Sequence, residues 1–204
     1  KADAIVYIEG LAGIKRPDGR GKRPTIPSDP RKIVKPGRNG EAVFQPKGGK
    51  QAKQAAGAFS DLYEAFLSTV CQPLAASAGA EYLASRGIDQ DVADQVGVRF
   101  CPDPSGLWTL ADRNAIKAAG LSSLYVFQAA RLPFLVFPYI RRGRVVYLKS
   151  RCLLSKDAAD QLKVQRFLNT GGPIPCLWNH DAIAAADRVL ICEGEIDALT
   201  AVQA

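Results

Sequence analysis

Three acids near the carboxyl end have the types and the spacing to do chemistry. In VLICEGEIDALTAVQA (residues 189–204), Glu193 directly follows an apolar run. Gly194 comes next, then Glu195 and Asp197 open a stretch rich in Ala and Leu. Read as strand, tight turn and helix, this places carboxylates at the carboxyl edge of a sheet, where open α/β folds bind ligands. Glycine suits such a turn. Acids in a first helical turn also suit the helix dipole, which accounts for Glu195 and Asp197 without any ligand. It accounts less well for Glu193, because an acid attached to a buried strand is costly unless it meets a cation or a donor. Hard divalent ions such as magnesium take oxygen ligands of this kind.

A second constellation lies upstream. Nine basic residues fall within residues 131–166, among them Arg144, Lys149, Arg151 and Arg166, against Asp157 and Asp160. In a strand, Lys149 and Arg151 share one face. A basic face followed by a carboxylate cluster suits a polyanion running past a metal, since phosphoryl transfer needs cations for phosphates and acids for metals. A solvated surface strand is the alternative for each basic residue taken singly.

These residues need elements to hold them. Residues 60–74 predict a helix with Leu62, Tyr63, Phe66, Leu67 and Val70 on one face, closed by Pro73. Residues 78–88 predict a second helix stopped by Gly87. Shorter helices are expected in DQDVADQVGVRF and in TLADRNAIKAAG. The pattern then changes to strands. PFLVFPYI and RVVYLKSRCLL flank RRG and predict a hairpin. DRVLICEG predicts a short buried strand of parallel-sheet type, and EIDALTAVQA a helix.

Composition narrows the function classes. The net charge of +7 is concentrated in residues 15–53, where twelve Lys or Arg face three acids. With six prolines and six glycines, that segment is expected to be a flexible basic linker, either a plain tether or one that neutralises phosphates. Five widely spaced cysteines and one histidine, His180, argue against a disulfide framework and against a zinc site within the chain. No apolar run approaches the roughly 20 residues that span a bilayer. A cytoplasmic location and no membrane partner are expected.

Four motifs in order carry a resemblance. ICEGEIDALTA resembles the first motif of the TOPRIM domain. AEYLASRGID with VGVRFCPDPSG is similar to the helical opening of the DnaG-type primase polymerase domain. VFPYIRRGRVVYLKSRCL resembles its hairpin, and QRFLNTGG its Lys-Tyr-Leu-Asn-Ser motif. DAIVYIEGLAGI, at the other end, looks like the closing helix of the zinc-binding domain that precedes such a polymerase domain.

The resemblance implies a fold of α+β to α/β character, in four parts. Residues 1–14 would end a zinc-binding-like domain, 15–57 form the basic linker, and 58–186 form the amino-terminal subdomain of the polymerase domain. Residues 187–204 would be the first strand and helix of a truncated, Rossmann-like TOPRIM domain. It implies a DNA primase that makes short RNA primers on single-stranded DNA from ribonucleoside triphosphates. Magnesium or manganese would be the cofactor, with zinc only in a preceding domain, and a replicative helicase the partner in trans or fused.

Residue by residue, Glu193 falls on the metal-linked catalytic Glu and Asp197 on the motif's Asp. Arg151 falls on the hairpin Arg that handles template or nucleotide phosphate. Arg166 stands where Lys is usual, and Asn169 matches the Asn. Lys149 and Arg144 belong to the same basic hairpin. Departures are Lys149-Ser150 in place of Gly-Gly, and Glu195, which is closer to phage primase-helicases. The Asp-x-Asp motif that completes the metal site is absent, so the chain alone is expected to be inactive and its VLIC strand to have an unpaired edge. A TOPRIM nuclease or topoisomerase-like protein, and a non-catalytic nucleic-acid-binding module, are the competing readings.

Overall fold

The structure is a computed structural model that describes residues 4–7 (as backbone), 57–183 and 186–204. Lys1–Gly10 and Gln54–Ala204 form one compact unit. Residues 11–53 lie outside the described residues, and so does the expected linker, 15–57, as far as residue 56.

The first unit is an α+β assembly around a four-stranded antiparallel sheet. Strand β1 (Ala4–Tyr7) comes first in the chain. Helix α1 (Ser60–Ala65) runs on into π-helical turns at Phe66–Val70 and ends where Cys71 turns extended, two residues before Pro73. Helices α2 (Ala78–Ala84) and α3 (Gln90–Gln95) follow, capped by the side chains of Ser77 and Asp89. Each cap satisfies an N–H that the first turn leaves without an intrahelical acceptor. Strand β2 (Arg99–Cys101), helix α4 (Arg113–Ala118) and helix α5 (Tyr125–Ala129) lead into the hairpin of β3 (Phe134–Arg141) and β4 (Arg144–Cys152). Then come α6 (Lys156–Gln161), β5 (Phe167–Asn169), α7 (His180–Ile183), β6 (Val189–Cys192) and α8 (Glu195–Gln203).

The sheet order is β2-β3-β4-β5, all neighbours antiparallel. Pro138 sits inside β3, where a missing N–H would normally break the ladder. It is tolerated because it lies opposite Leu148, whose own N–H and C=O turn away to Thr170. The register slips between Tyr139 and Ile140, with Val146 as the extra residue of a β-bulge.

Period-two alternation gives the sheet two buried faces. One carries Phe134, Val136, Leu148 and Cys152 and packs on Tyr63, Phe66, Ile116 and Phe127. The other carries Phe100, Leu135, Phe137, Tyr139 and Tyr147 and packs on Leu83, Ile88, Trp178, Ala198 and Leu199. Phe137 and Trp178 meet edge to face at 6.0 Å. Lys149 and Arg151 alternate with Leu148, Ser150 and Cys152, so they project from this second face. No helix among the described residues is long and apolar enough to cross a membrane.

Three expectations are corrected. Residues 4–7 are a strand where the resemblance implied a closing helix. That strand pairs in parallel with β6, Ala4 opposite Val189 through Tyr7 opposite Cys192, so the VLIC edge has a partner. The run Ala-Ile-Val-Tyr favours this outcome, since β-branched and aromatic residues fit a pleated surface. Strand β6 is also not buried: Val189, Leu190 and Ile191 are exposed, because a two-stranded sheet offers little cover to either face.

Candidate nucleic-acid and metal site

The basic cluster is built by β4 and β5. Arg151 pairs with Phe167 across the β4–β5 ladder, and Lys149 with Asn169. The Arg151 guanidinium lies 4.6 Å from the centre of the Phe167 ring and 5.5 Å from that of Tyr82, which α2 brings over the sheet. Its Nε–H donates to the Tyr82 hydroxyl at 2.7 Å. Lys149 lies 5.0 Å from the same Phe167 ring and Arg166 5.9 Å from it. Arg86, exposed on the turn after α2, lies 4.9 Å from the Tyr82 ring. A shallow, open cleft of about 580 Å³ is lined by Tyr82, Ser85 and Arg86 and by Leu153, Leu154 and Ser155.

Arg151 is only 6 % exposed, yet no carboxylate pairs with it among the described residues. A charge removed from water needs compensation, and here aromatic faces and one hydroxyl supply only part of it. The rest of its donor fork is suited to an oxyanion, which a planar guanidinium binds through two N–H groups at once. The solvated-strand alternative is therefore excluded for Lys149 and Arg151, both of which are buried.

The acidic turn lies beside this cluster. Gly194 precedes α8 with extended backbone, and its carbonyl accepts from Ala198 N at 2.9 Å. Glu193 and Asp197 are exposed on either side of it. A Cβ at position 194 would come within 3.1 Å of Asp197 Oδ2, a tight contact that the carboxylate would relieve by shifting a few tenths of an ångström. Glu195 is the buried acid, 2 % exposed. Its Oε1 accepts from the Tyr139 hydroxyl at 2.6 Å and lies 3.2 Å from Lys149 Nζ. The expected roles of the first two acids are thus exchanged: Glu193, expected to carry the cost of burial, faces solvent, while Glu195, explained by the helix dipole alone, enters the core. The parallel β1–β6 pair still puts Glu193 at the carboxyl end of its strand.

Among the described residues no group of three or more His, Cys, Asp or Glu could hold a metal. Two exposed carboxylates fit a magnesium ion that keeps waters and takes phosphate oxygens, and do not fit an all-protein cage.

Of the remaining candidates, Asn169 stays beside Lys149 in the ladder and Arg144 lies apart. Arg144 stands at the hairpin turn, seven residues from Arg151 along β4, roughly 20 Å away at strand rise. It is paired to Glu64 at 2.9 Å and to Asp61, and these two acids hold its guanidinium protonated to still higher pH. Asn169 is exposed on β5, and its carbonyl accepts from Ser123 Oγ at 3.3 Å. Tyr82, Arg86 and Phe167 were not singled out from the sequence. The only signal for them was aromatic residues placed beside basic ones.

Comparison with protein-family models, curated proteins and solved structures finds no match.

Proposed function

We propose that the chain is a nucleotidyltransferase of the DnaG primase type, acting on single-stranded DNA and ribonucleoside triphosphates. The observation that supports this reading best is Arg151, a buried cation lacking a carboxylate partner among the described residues and two residues along β4 from Lys149, which pairs with Glu195 of the acidic strand–helix turn. A phosphodiester or triphosphate supplies the missing anion. The β6–α8 unit with its parallel partner β1 is compatible with the start of a TOPRIM-like domain.

In this reading Arg151 holds a phosphate through the free part of its fork, with Tyr82 and Phe167 fixing the guanidinium plane. Arg86, on the turn after α2, and Arg166, just before β5, extend the positive surface. These contacts position the backbone and do not read sequence. Glu193 and Asp197 would hold magnesium or manganese, which when bound lowers the pKa of the attacking hydroxyl and neutralises the leaving pyrophosphate. A replicative helicase is the partner that the same reading proposes.

The test is a gel assay with ribonucleotides, manganese and a single-stranded template, run on the full-length protein and on its Glu193→Gln variant, since these 204 residues alone are expected to be inactive. Extension that Glu193→Gln abolishes while template binding persists supports the reading. Cleavage of the template points to a TOPRIM nuclease. Binding without either reaction leaves a nucleic-acid-binding module.

A further inference from the structure

The pair of Glu195 and Lys149 joins two parts of the molecule 46 residues apart in sequence, with both side chains at most 5 % exposed. A buried pair of this kind is rarely a net source of stability, because desolvation offsets the attraction. What it supplies is direction. One carboxylate oxygen receives two donors, Lys149 Nζ and the Tyr139 hydroxyl, both from the same face of the sheet. Lys149 stands on the central strand β4, flanked in register by Phe137 on β3 and Asn169 on β5, so it cannot shift without the sheet. Glu195 is the first residue of α8, so its carboxylate sets the angle at which the helix leaves Gly194. At the other end of α8, Gln203 donates to the Gly87 carbonyl at 2.7 Å and accepts from Asp89 N at 2.6 Å. The apolar contacts of Ala198 and Leu199 between these anchors resist separation but not rotation.

We propose that Glu195 is a positioning residue: through Lys149 and Tyr139 it fixes the β6–α8 turn, with Glu193 and Asp197, against the Arg151–Phe167 cluster. Its carboxylate also neutralises Lys149, so that the phosphate contacts fall to Arg151 and its neighbours. The importance of this for catalysis rests on the function proposed above; the positioning itself does not.

Cys192 reports on the turn. It is half-buried and adjoins Glu193, whereas Cys71, Cys101 and Cys152 are buried in the core and report on global opening. Two variants are used, Glu195→Gln and the paired apolar replacement K149M/E195L. Each is labelled with a thiol reagent, located by mass spectrometry, and titrated with oligo-dT over a range of salt. Glu195→Gln is expected to label at Cys192 about tenfold faster than the parent, with the three core thiols unchanged, as local opening requires. K149M/E195L is expected to melt somewhat below the parent, because the apolar pair offsets the lost ionic one but also removes the carboxylate that accepts from the Tyr139 hydroxyl, and still to label Cys192 faster while the three core thiols stay protected. Its salt slope for oligo-dT should equal the parent's, whereas loss of a phosphate ligand lowers the slope by about 0.7.

The proposal is overturned if K149M/E195L protects Cys192 as well as the parent does, since the pair would then only fill volume. It is overturned equally if that variant lowers the salt slope, since Lys149 would then be a phosphate ligand. A parent chain that does not bind oligo-dT at low salt removes the nucleic-acid reading, and the labelling comparison still decides the positioning role.

Discussion

Arg151→Ala separates a phosphate ligand from a structural cation, and the structure allows both effects to be estimated. The substitution removes a charged hydrogen bond to Tyr82 at 2.7 Å and ring contacts at 4.6 and 5.5 Å. A hydrogen bond to a charged group contributes about 1.5–3 kcal/mol and each ring contact about 0.5–1 kcal/mol. The desolvation cost of a nearly buried guanidinium is recovered at the same time, so a net loss of about 2 kcal/mol is expected. For a unit of this size that lowers Tm by about 4–8 °C.

In binding, one cation fewer should reduce the salt slope for oligo-dT by about 0.7. Arg151→Lys divides the two effects. It keeps the charge and therefore most of the slope, but it lacks the plane that stacks on Phe167 and the Nε that meets Tyr82, so its Tm should fall nearly as far as that of Arg151→Ala. The assay is fluorescence anisotropy of a labelled oligonucleotide at several salt concentrations, beside thermal melts of the same samples. A lowered Tm with an unchanged slope would refute the argument, because Arg151 would then be a buried cation satisfied by its rings alone.

Gly120→Ala should prevent folding or destabilise by about 3 kcal/mol or more in a denaturant melt, because Gly120 has φ +76° and an added Cβ would overlap the backbone of Gly171 and lie 2.9 Å from the Thr170 carbonyl carbon. Leu199→Ala empties a fully buried site between α8 and the sheet and should cost about 2–5 kcal/mol by the same measurement. Asp181 caps the hairpin turn by accepting from Gly143 N and Arg142 N, each at 2.8 Å, and these bonds hold its carboxyl below the usual carboxylate range. Its folded pKa is depressed, so the stabilisation is full above the ordinary value near 4 and is lost as pH falls through the folded value. Asp181→Asn should therefore melt below the parent at pH 7, by a small margin since the group is exposed, and the difference should vanish in acid.

How much of this was legible beforehand follows from what local rules can reach. The hairpin, the helix from Ser60 and the strand–glycine–helix unit at the carboxyl end rest on periodicity and turn residues, which act over a few neighbours. The shared face of Lys149 and Arg151 follows from the period of two alone, and the structure bears it out. The short strands β2 and β5, of three residues each, were not legible because so few residues establish no period; they exist through pairing with β3 and β4. The partner of β6 was hidden for a related reason. A parallel neighbour comes from residues 4–7, 185 positions away from Val189 opposite Ala4, and no local pattern records such a pairing.

The acids show the division most clearly. That a carboxylate-bearing turn follows a strand at Gly194 was determined by the sequence alone, through residue type and order. Which carboxylate enters the core was decided only by tertiary structure. Glu193 and Glu195 are two residues apart and chemically identical, so composition cannot rank them. Glu195 is the buried one because α8 docks on a sheet face where Lys149 and Tyr139 stand ready with a cation and an O–H, and burying a charge is tolerable only where such partners already wait.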